Sequence, residues 1–226
     1  MITLVGVGHV FGLDAHVKRI IHELHPGIVC LELDGERFEA LREGFTGEDP
    51  NPFFNLIERF QNRIAKGFGS TPGSEMLAAA EASREVGARI ALIDRDIRVT
   101  INRLLRLLPI KEKVILIVSG ISTLFASKKW IQKELTRIQN EDSYIDEFTK
   151  DLPTFRRILI EERNEFMALR IMDLSRENSE IVAIIGDGHV PGVERILREK
   201  GIHLEVIRLR DIQKGKITNR VAAYRF

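Results

Sequence analysis

Short apolar runs followed by turn residues recur along this chain, and most of them precede a stretch with helical periodicity. Runs that are apolar at nearly every position are typical of parallel strands covered by helices on both faces. The sequence therefore predicts an α/β fold with a mostly parallel central sheet flanked by helices. The predicted strands are Ile2–Val5, Ile28–Asp34, Ala88–Ile93, Glu180–Ile185 and His203–Leu209.

The segments between these strands have the i, i+3, i+4, i+7 spacing and the end signals of helices. One helix begins near Asp14, and the others are predicted at Glu36–Glu43, Phe53–Ala65, Ser74–Val86, Thr100–Leu108, Lys111–Phe125, Lys128–Asn140, Thr154–Arg176 and Gly192–Lys200. Val114–Val118 would also suit a strand by propensity. We expect one domain over residues 1–212, with a helical insertion at about residues 97–179 between the third strand and the last strands, and a terminal extension at residues 213–226. The last strand alternates enough to be predicted at an edge of the sheet.

A heptapeptide occurs twice, each time after a predicted strand. The copies read Gly6-Val7-Gly8-His9-Val10-Phe11-Gly12 and Gly186-Asp187-Gly188-His189-Val190-Pro191-Gly192, and they agree at five of seven positions. Ligands of open parallel sheets bind beyond the carboxyl ends of the strands. We therefore expect His9 and His189 to converge on one site.

Carboxylates also fall at predicted strand ends. Glu32 interrupts the second apolar run, and Asp94 and Arg95 follow the third. A carboxylate placed within a buried strand requires a partner, which would be either an arginine or a metal ion. Both alternatives remain open for Glu32 at the level of the sequence.

The predicted helix Thr154–Arg176 also carries a candidate. An apolar stripe runs through Phe155, Leu159, Phe166 and Leu169, and Glu162 occupies its missing step. Glu162 is therefore predicted to face inward, whereas Glu161 is predicted to face solvent. Arg163 would serve either as a salt-bridge partner or as an anion-binding group.

Two imidazoles with one or two carboxylates suit a divalent transition metal such as Zn, Mn, Co or Fe. Such an ion lowers the pKa of bound water and supplies a hydrolytic nucleophile near neutral pH. We predict that His9 and His189 hold the metal together with one or both of Glu32 and Glu162. Glu32 or Glu162 would act as the general base, and Arg95 would bind a carboxylate or an oxyanion.

A dinucleotide site is the rival interpretation of the first heptapeptide. A glycine-rich turn after a first strand, with Glu32 twenty residues beyond Gly12, imitates the dinucleotide-binding fingerprint. The spacing is G-x-G-x-x-x-G instead of G-x-G-x-x-G, and His9 stands where a pyrophosphate should approach closely. The second copy of the heptapeptide is also unexplained by this interpretation.

Charge and composition exclude several classes of function. The 34 basic and 33 acidic residues give a formal net charge of +1 without a long single-sign block, so neither a nucleic-acid nor a membrane-surface partner is indicated. No apolar stretch is long enough to span a bilayer, and a signal peptide is not recognisable, so a cytoplasmic protein is expected. Cys30 lies in an apolar run and is expected to be a buried, unreactive thiol.

Six stretches between residues 6 and 192 carry a resemblance to a known family. They are Gly6–Val10, Val29–Asp34, Gly73–Met76 with Ala78–Ala80, Asp94–Ile97 with Thr100, Glu162–Ala168 and Gly186–Gly192. In this order they resemble the TraB family, which is related to the TraB/PrgY pheromone-shutdown proteins and, more distantly, to the Tiki-type metalloproteases. Many relatives resemble this domain followed by membrane spans.

The resemblance implies a site built on residues that the strand-end argument had already selected. The family's paired G-x-x-H motifs and glutamate map onto His9, His189 and Glu32, and the resemblance adds Glu75 to the site. Asn164 departs from the aspartate that usually follows Glu-Arg in the family. Tiki-like members are taken to be metal-dependent peptidases, whereas TraB and PrgY act in peptide pheromone signalling.

Two functions are therefore expected to compete. The first is a metal-dependent, peptidase-like hydrolase. The alternative is a non-catalytic regulator that binds a peptide or a small anion through Arg95, Arg163 and the start of the helix at Gly192. Substrate contacts are assigned to Arg163, Glu75, Asp187 and Asp94, and the chain is compatible with a homo-oligomer.

Overall fold

The structure, a computed structural model, describes residues 1–8, 13–43, 73–124, 147, 149–177 and 179–213, with side chains omitted at 119–124. Five strands form one sheet in the order β3-β2-β4-β1-β5, and every neighbouring pair is parallel. They are β1 (Ile2–Val7), β2 (Ile28–Leu31), β3 (Arg89–Leu92), β4 (Ile181–Gly186) and β5 (Leu204–Ile207). The predicted fold class and the edge position of the last strand are confirmed.

Helices connect the strands, as predicted, and a short helix that was not predicted follows the last strand. They are α1 (Asp14–Leu24), α2 (Gly35–Glu43), α3 (Ser74–Glu85), α4 (Ile97–Leu107), α5 (Ile110–Leu124), α6 (Pro153–Arg156), α7 (Glu162–Ser175), α8 (Val190–Glu199) and α9 (Leu209–Gln213). The alternative of a strand at Val114–Val118 is wrong, since these residues belong to α5. Within the described ranges, no helix combines the length and the apolar character that crossing a bilayer requires.

The three central strands, β1, β2 and β4, are buried on both faces, which explains why they are apolar at nearly every position. Successive side chains point to opposite faces of a strand. On one face, Val5 and Val29 pack with residues of α1 and α3. On the other face, Leu4 and Cys30 pack with residues of α7 and α8. This burial raises the pKa of the Cys30 thiol to about 12, as expected for an unreactive cysteine.

One predicted helix, Thr154–Arg176, contains a π-helical turn at Arg157–Glu161. An extra residue in a turn rotates all later positions by about 100° around the helix axis. The predicted apolar stripe is therefore wrong beyond this turn, because Phe166 and Leu169 are 37% and 42% exposed, whereas Met167 is fully buried.

Several predictions fall outside the described residues. They are the helices Phe53–Ala65 and Lys128–Asn140, the terminal extension beyond residue 213, and the position of His9.

Candidate functional site

The strand order brings the carboxyl ends of β1, β2 and β4, where site residues were predicted, to one edge of the sheet. β4 lies between β1 and β2, and because all three strands are parallel, the residues that follow them emerge at the same edge. Glu32 follows β2 directly and Gly8 follows β1, so Glu32 lies just outside the strand that was predicted to contain it. His189 follows β4, and its predicted companion His9 is outside the described residues.

Glu32 is buried at this edge with 4% of its surface exposed. The backbone N–H of Gly186, the last residue of β4, donates to Oε2 at 2.6 Å, and Nη2 of Arg163 donates to Oε1 at 2.5 Å. The same Oε1 lies 3.4 Å from Nε2 of His189. Hydrogen bonds and an opposite charge offset the desolvation of this carboxylate. Glu32 therefore has an arginine as an ion-pair partner and an imidazole nitrogen as a close neighbour.

His189 is held by its backbone and by its ring. Its N–H donates to the carbonyl oxygen of Gly186 at 2.8 Å, and its own carbonyl oxygen accepts from Val193 in the first turn of α8 at 3.0 Å. The ring nitrogen Nδ1 lies 2.7 Å from Oδ1 of Asn164, and the side chain is 13% exposed. The contact with Asn164 fixes the plane of the ring, and Nε2 lies on the side of Glu32.

Arg163 links Glu32 to Asp94. Its Nε donates to Oδ1 of Asp94 at 3.0 Å, and its Nη2 donates to Oδ2 at 2.8 Å. Asp94 also accepts from Nη1 of Arg37 at 3.1 Å and from the backbone N–H of Arg95 at 2.8 Å. Burial alone would lower the pKa of the Arg163 guanidinium, but the charges of Glu32 and Asp94 outweigh it and raise that pKa above its ordinary value. Arg163 is therefore a permanent buried cation.

Arg95 and Glu162 form an adjoining ion-pair group. Nη1 of Arg95 donates to Oε2 of Glu162 at 2.9 Å, and Arg103 donates to both carboxylate oxygens at 3.0 Å. Arg95 also donates to Oγ1 of Thr100 and to the carbonyl oxygen of Ile158. The hydrogen bond from Arg103 lowers the pKa of Glu162 below its usual range, burial opposes this, and Arg95 reinforces it. A carboxylate held as an anion in this way is a weak general base.

Asp187 is directed towards β5. Arg208 donates to it through Nε at 2.9 Å and through Nη2 at 2.8 Å, and the N–H of Leu209 donates to Oδ1 at 2.8 Å. These contacts join the loop after β4 to the segment after β5. They favour a structural role over the predicted substrate contact.

Glu75 is buried, with 3% of its surface exposed, in the first turn of α3. The preceding residue, Ser74, donates through Oγ to Oδ1 of Asp14 at 2.8 Å, so the starts of α1 and α3 meet. Because α1 begins on the carboxyl side of β1, this contact places Glu75 at the same edge of the sheet as Glu32.

Two glycines of the heptapeptides make room for polar side chains. A Cβ at Gly6 would overlap Oδ1 of Asp187, and a Cβ at Gly192 would overlap Nδ2 of Asn164. The repeated glycines therefore have a packing role that the sequence did not reveal.

Sequence reasoning also missed two of the residues that hold the site. Asn164 is buried with 6% exposed and occupies the inward position that the stripe had assigned to Glu162. Its departure from the family pattern was the one available signal. Arg37, which contacts Asp94 from α2, gave no signal because the two residues are 57 positions apart.

Nε2 of His189 and Oε1 of Glu32 are placed as two ligands of one metal ion would be. Two ligands of one tetrahedral zinc ion lie about 3.3 Å apart, which matches the 3.4 Å between Nε2 of His189 and Oε1 of Glu32. A hydrogen bond at the other ring nitrogen is usual for a metal-ligating histidine, and Asn164 provides it. Among the described residues no group of three or more His, Cys, Asp or Glu side chains could hold a metal ion. A third ligand would have to come from elsewhere in the chain, and His9 is the predicted one.

The fold and site define a parallel α/β domain with a buried Glu–Arg–Asp network and a histidine at the carboxyl edge of its sheet. The chain belongs to the TraB/PrgY/gumN family, whose model matches residues 1–206. This confirms the family that the six short stretches indicated.

Similar proteins occur in archaea and in mammals. An uncharacterized protein of Methanocaldococcus jannaschii is 30% identical over 235 residues, which cover 95% of this chain and 58% of the relative. A TraB domain-containing protein of Bos taurus is 28% identical over 236 residues, covering 86% of this chain and 62% of the relative. The TraB domain-containing protein of Homo sapiens is 27% identical over 159 residues, covering 62% of this chain and 42% of the relative. The chain thus spans about three fifths of the first two relatives.

Proposed function

We propose that this protein is a metal-dependent hydrolase that acts on peptides. The observation that carries the proposal is the approach of Nε2 of His189 to Oε1 of Glu32 at 3.4 Å, with the ring held from its other side by Asn164. These two atoms, together with the imidazole of His9, would hold the ion. A divalent transition metal supplies an activated water near neutral pH and polarises a carbonyl group.

The surrounding residues would position this ligand set. Arg163 and the N–H of Gly186 fix the Glu32 carboxylate in one orientation, and Asp94 in turn fixes the guanidinium of Arg163. Arg163 also places a positive charge beside Oε1. That charge weakens the hold of Glu32 on a cation, so the ion should depend strongly on the imidazoles.

The contacts of the arginines support the hydrolase over the anion-binding regulator. Nε, Nη1 and Nη2 of Arg163 already donate to Asp94, to the carbonyl oxygen of Leu159 and to Glu32. Nη1 of Arg95 likewise donates to Oε2 of Glu162. An anion bound by these side chains would have to compete with carboxylates that already accept from them, two of which, Glu32 and Asp94, are buried. The hydrolase is therefore the better-supported function.

The test is elemental analysis of the purified protein, followed by removal of metal with a chelator and reconstitution with Zn²⁺, Mn²⁺, Co²⁺ or Fe²⁺. We expect about one ion per chain, and reconstituted protein should cleave members of a peptide library analysed by mass spectrometry. His189→Ala should lose both properties. His203→Ala is the matched control, because His203 is exposed beside β5. Equal metal content in both variants, or intact peptides with every reconstituted metal, would refute the proposal.

A further inference from the structure

We infer that Asn164 is the positioning residue that sets the tautomer of His189, with the proton on Nδ1 and the lone pair on Nε2. The use of Nε2 as a ligand rests on the proposed function, but the tautomer itself does not. A neutral imidazole carries one N–H and one lone pair, and the partner of one nitrogen decides which nitrogen has the proton. The carboxamide oxygen of Asn164 can only accept. Its 2.7 Å contact with Nδ1 is a short hydrogen bond, whereas Nε2 lies 3.4 Å from Oε1 of Glu32, so the Asn164 contact selects the Nδ1–H form.

The position of Asn164 is built into the fold. Asn164 lies on the first turn of α7 after the π-helical turn, and it is 6% exposed. Gly192 lies opposite, and a Cβ there would approach Cγ of Asn164 to 2.8 Å. His189 and Gly192 are three residues apart at the start of α8, so they present one surface. This explains the spacing from the histidine to the last glycine in the second copy of the heptapeptide: the histidine contacts the amide and the glycine leaves room for it.

The Asn164 side chain is uncharged, which affects the electrostatics of the site. Glu32 and Asp94 already place two buried carboxylates around Arg163. An aspartate at position 164 would add a third negative charge beside them. An asparagine fixes the ring through a neutral hydrogen bond and adds no charge, which leaves Nε2 as a neutral donor atom towards Glu32.

The opposite arrangement has a distinct signature. If the carboxamide were reversed, its NH₂ group would donate to Nδ1, and the proton would move to Nε2. The Nε2–H group would then face Oε1 of Glu32 at 3.4 Å, and it would no longer present a lone pair to a cation.

Nitrogen NMR distinguishes the two arrangements without metal and without turnover. Protein with ¹⁵N-labelled histidine would be studied above pH 8, where a free imidazole is neutral, and the His189 signals would be assigned by their loss in His189→Gln. We expect a protonated Nδ1 and an unprotonated Nε2. A protonated Nε2 in the wild-type protein overturns the inference.

Three variants connect the tautomer to binding. Asn164→Ala and Gly192→Ala should both give a mixture of tautomers and lower the affinity for Zn²⁺ about 10- to 100-fold, measured by competition with a chromophoric chelator. Asn164→Asp retains an acceptor oxygen and should restore the Nδ1–H form. If the wild-type tautomer is as expected but no variant or wild-type protein binds Zn²⁺, the metal-dependent function fails and the role of Asn164 stands. If the tautomer is unchanged in Asn164→Ala, the role of Asn164 fails.

Discussion

Gly6 of β1 and Asp187 after β4 pack so closely that a methyl group on Gly6 would overlap the Asp187 carboxylate. The two residues belong to different copies of the heptapeptide, at its first and second positions. The two copies therefore pack against each other. The missing side chain of Gly6 in the first copy leaves the space that the Asp187 carboxylate of the second copy fills. Arg208 and the N–H of Leu209 hold the inserted carboxylate in place.

Gly6→Ala should destabilise the protein by about 1–3 kcal/mol, because the partly buried carboxylate of Asp187 must move away from its partners. The measurement is urea unfolding of Gly6→Ala, Asp187→Ala and the double variant. The double variant should lose less than the sum of the single losses, since Asp187→Ala removes the overlapping atoms. Gly35→Ala is the control, because a Cβ there meets no atom within 4 Å. Strictly additive losses would contradict the proposed contact.

Arg163→Met tests the buried network around Glu32. Removing the guanidinium leaves Glu32 and Asp94 buried with less compensating charge, which should lower the free energy of unfolding by about 3–5 kcal/mol. Arg98→Met is the matched control, because Arg98 and its partner Glu36 are 62% and 54% exposed, and it should change stability by less than about 1 kcal/mol.

A charge-removing second substitution identifies the cause of this loss. Adding Glu32→Gln to Arg163→Met should recover part of the stability, because the uncompensated anion is then absent. The contrary outcome is additivity. If Glu32→Gln lowers the stability of Arg163→Met by as much as it lowers that of wild type, lost packing of Arg163 and not uncompensated charge explains the loss.

Among the described residues, local pattern was sufficient to predict the strands and most of the helices, but not which side chains contact one another. The strands were predictable because burial on both faces leaves nearly continuous apolar runs, and Glu32 was conspicuous because it ends one of them. That Glu32 has an arginine as an ion-pair partner could not be predicted, because Arg163 is 131 residues away. No local pattern records a contact over that distance.

The inward residue of α7 was unpredictable for a different reason. A regular 3.6-residue period places Glu162 inward, but the π-helical turn at Arg157–Glu161 shifts the phase, and Asn164 faces the site instead. The prediction that Glu161 faces solvent is unaffected, since its side chain is 56% exposed.

Cys30 provides a probe of the core beneath the site. It is fully buried in β2, two residues before Glu32, and burial raises its pKa to about 12. The thiol should therefore resist alkylation by iodoacetamide at pH 8 in native protein and react fully in urea. Mass spectrometry after timed labelling measures this. Rapid labelling without denaturant would show that the sheet opens at β2.

The lowered pKa of Glu162 should make the free energy of unfolding depend on pH. Its pKa is lowered in the folded state, chiefly by the hydrogen bond from Arg103 and then by Arg95, against an ordinary value of 4.5. A lowered folded-state pKa contributes stability above the unfolded-state value, and this contribution is lost as the pH falls through the folded-state value. Glu162→Gln should therefore be less stable than wild type by about 1–2 kcal/mol at pH 7. The difference should begin to shrink below pH 4.5.

Urea unfolding of both proteins between neutral pH and the lowest pH that still gives a cooperative transition measures this difference. Glu161→Gln is the matched control, because the neighbouring carboxylate is exposed and pairs with Arg156; its effect at pH 7 should stay below about 1 kcal/mol. A Glu162→Gln difference that stays constant as the pH falls well below 4.5 would mean that the arginines do not stabilise the carboxylate by charge. Arg95 would then be positioned by Thr100 and the carbonyl oxygen of Ile158 instead.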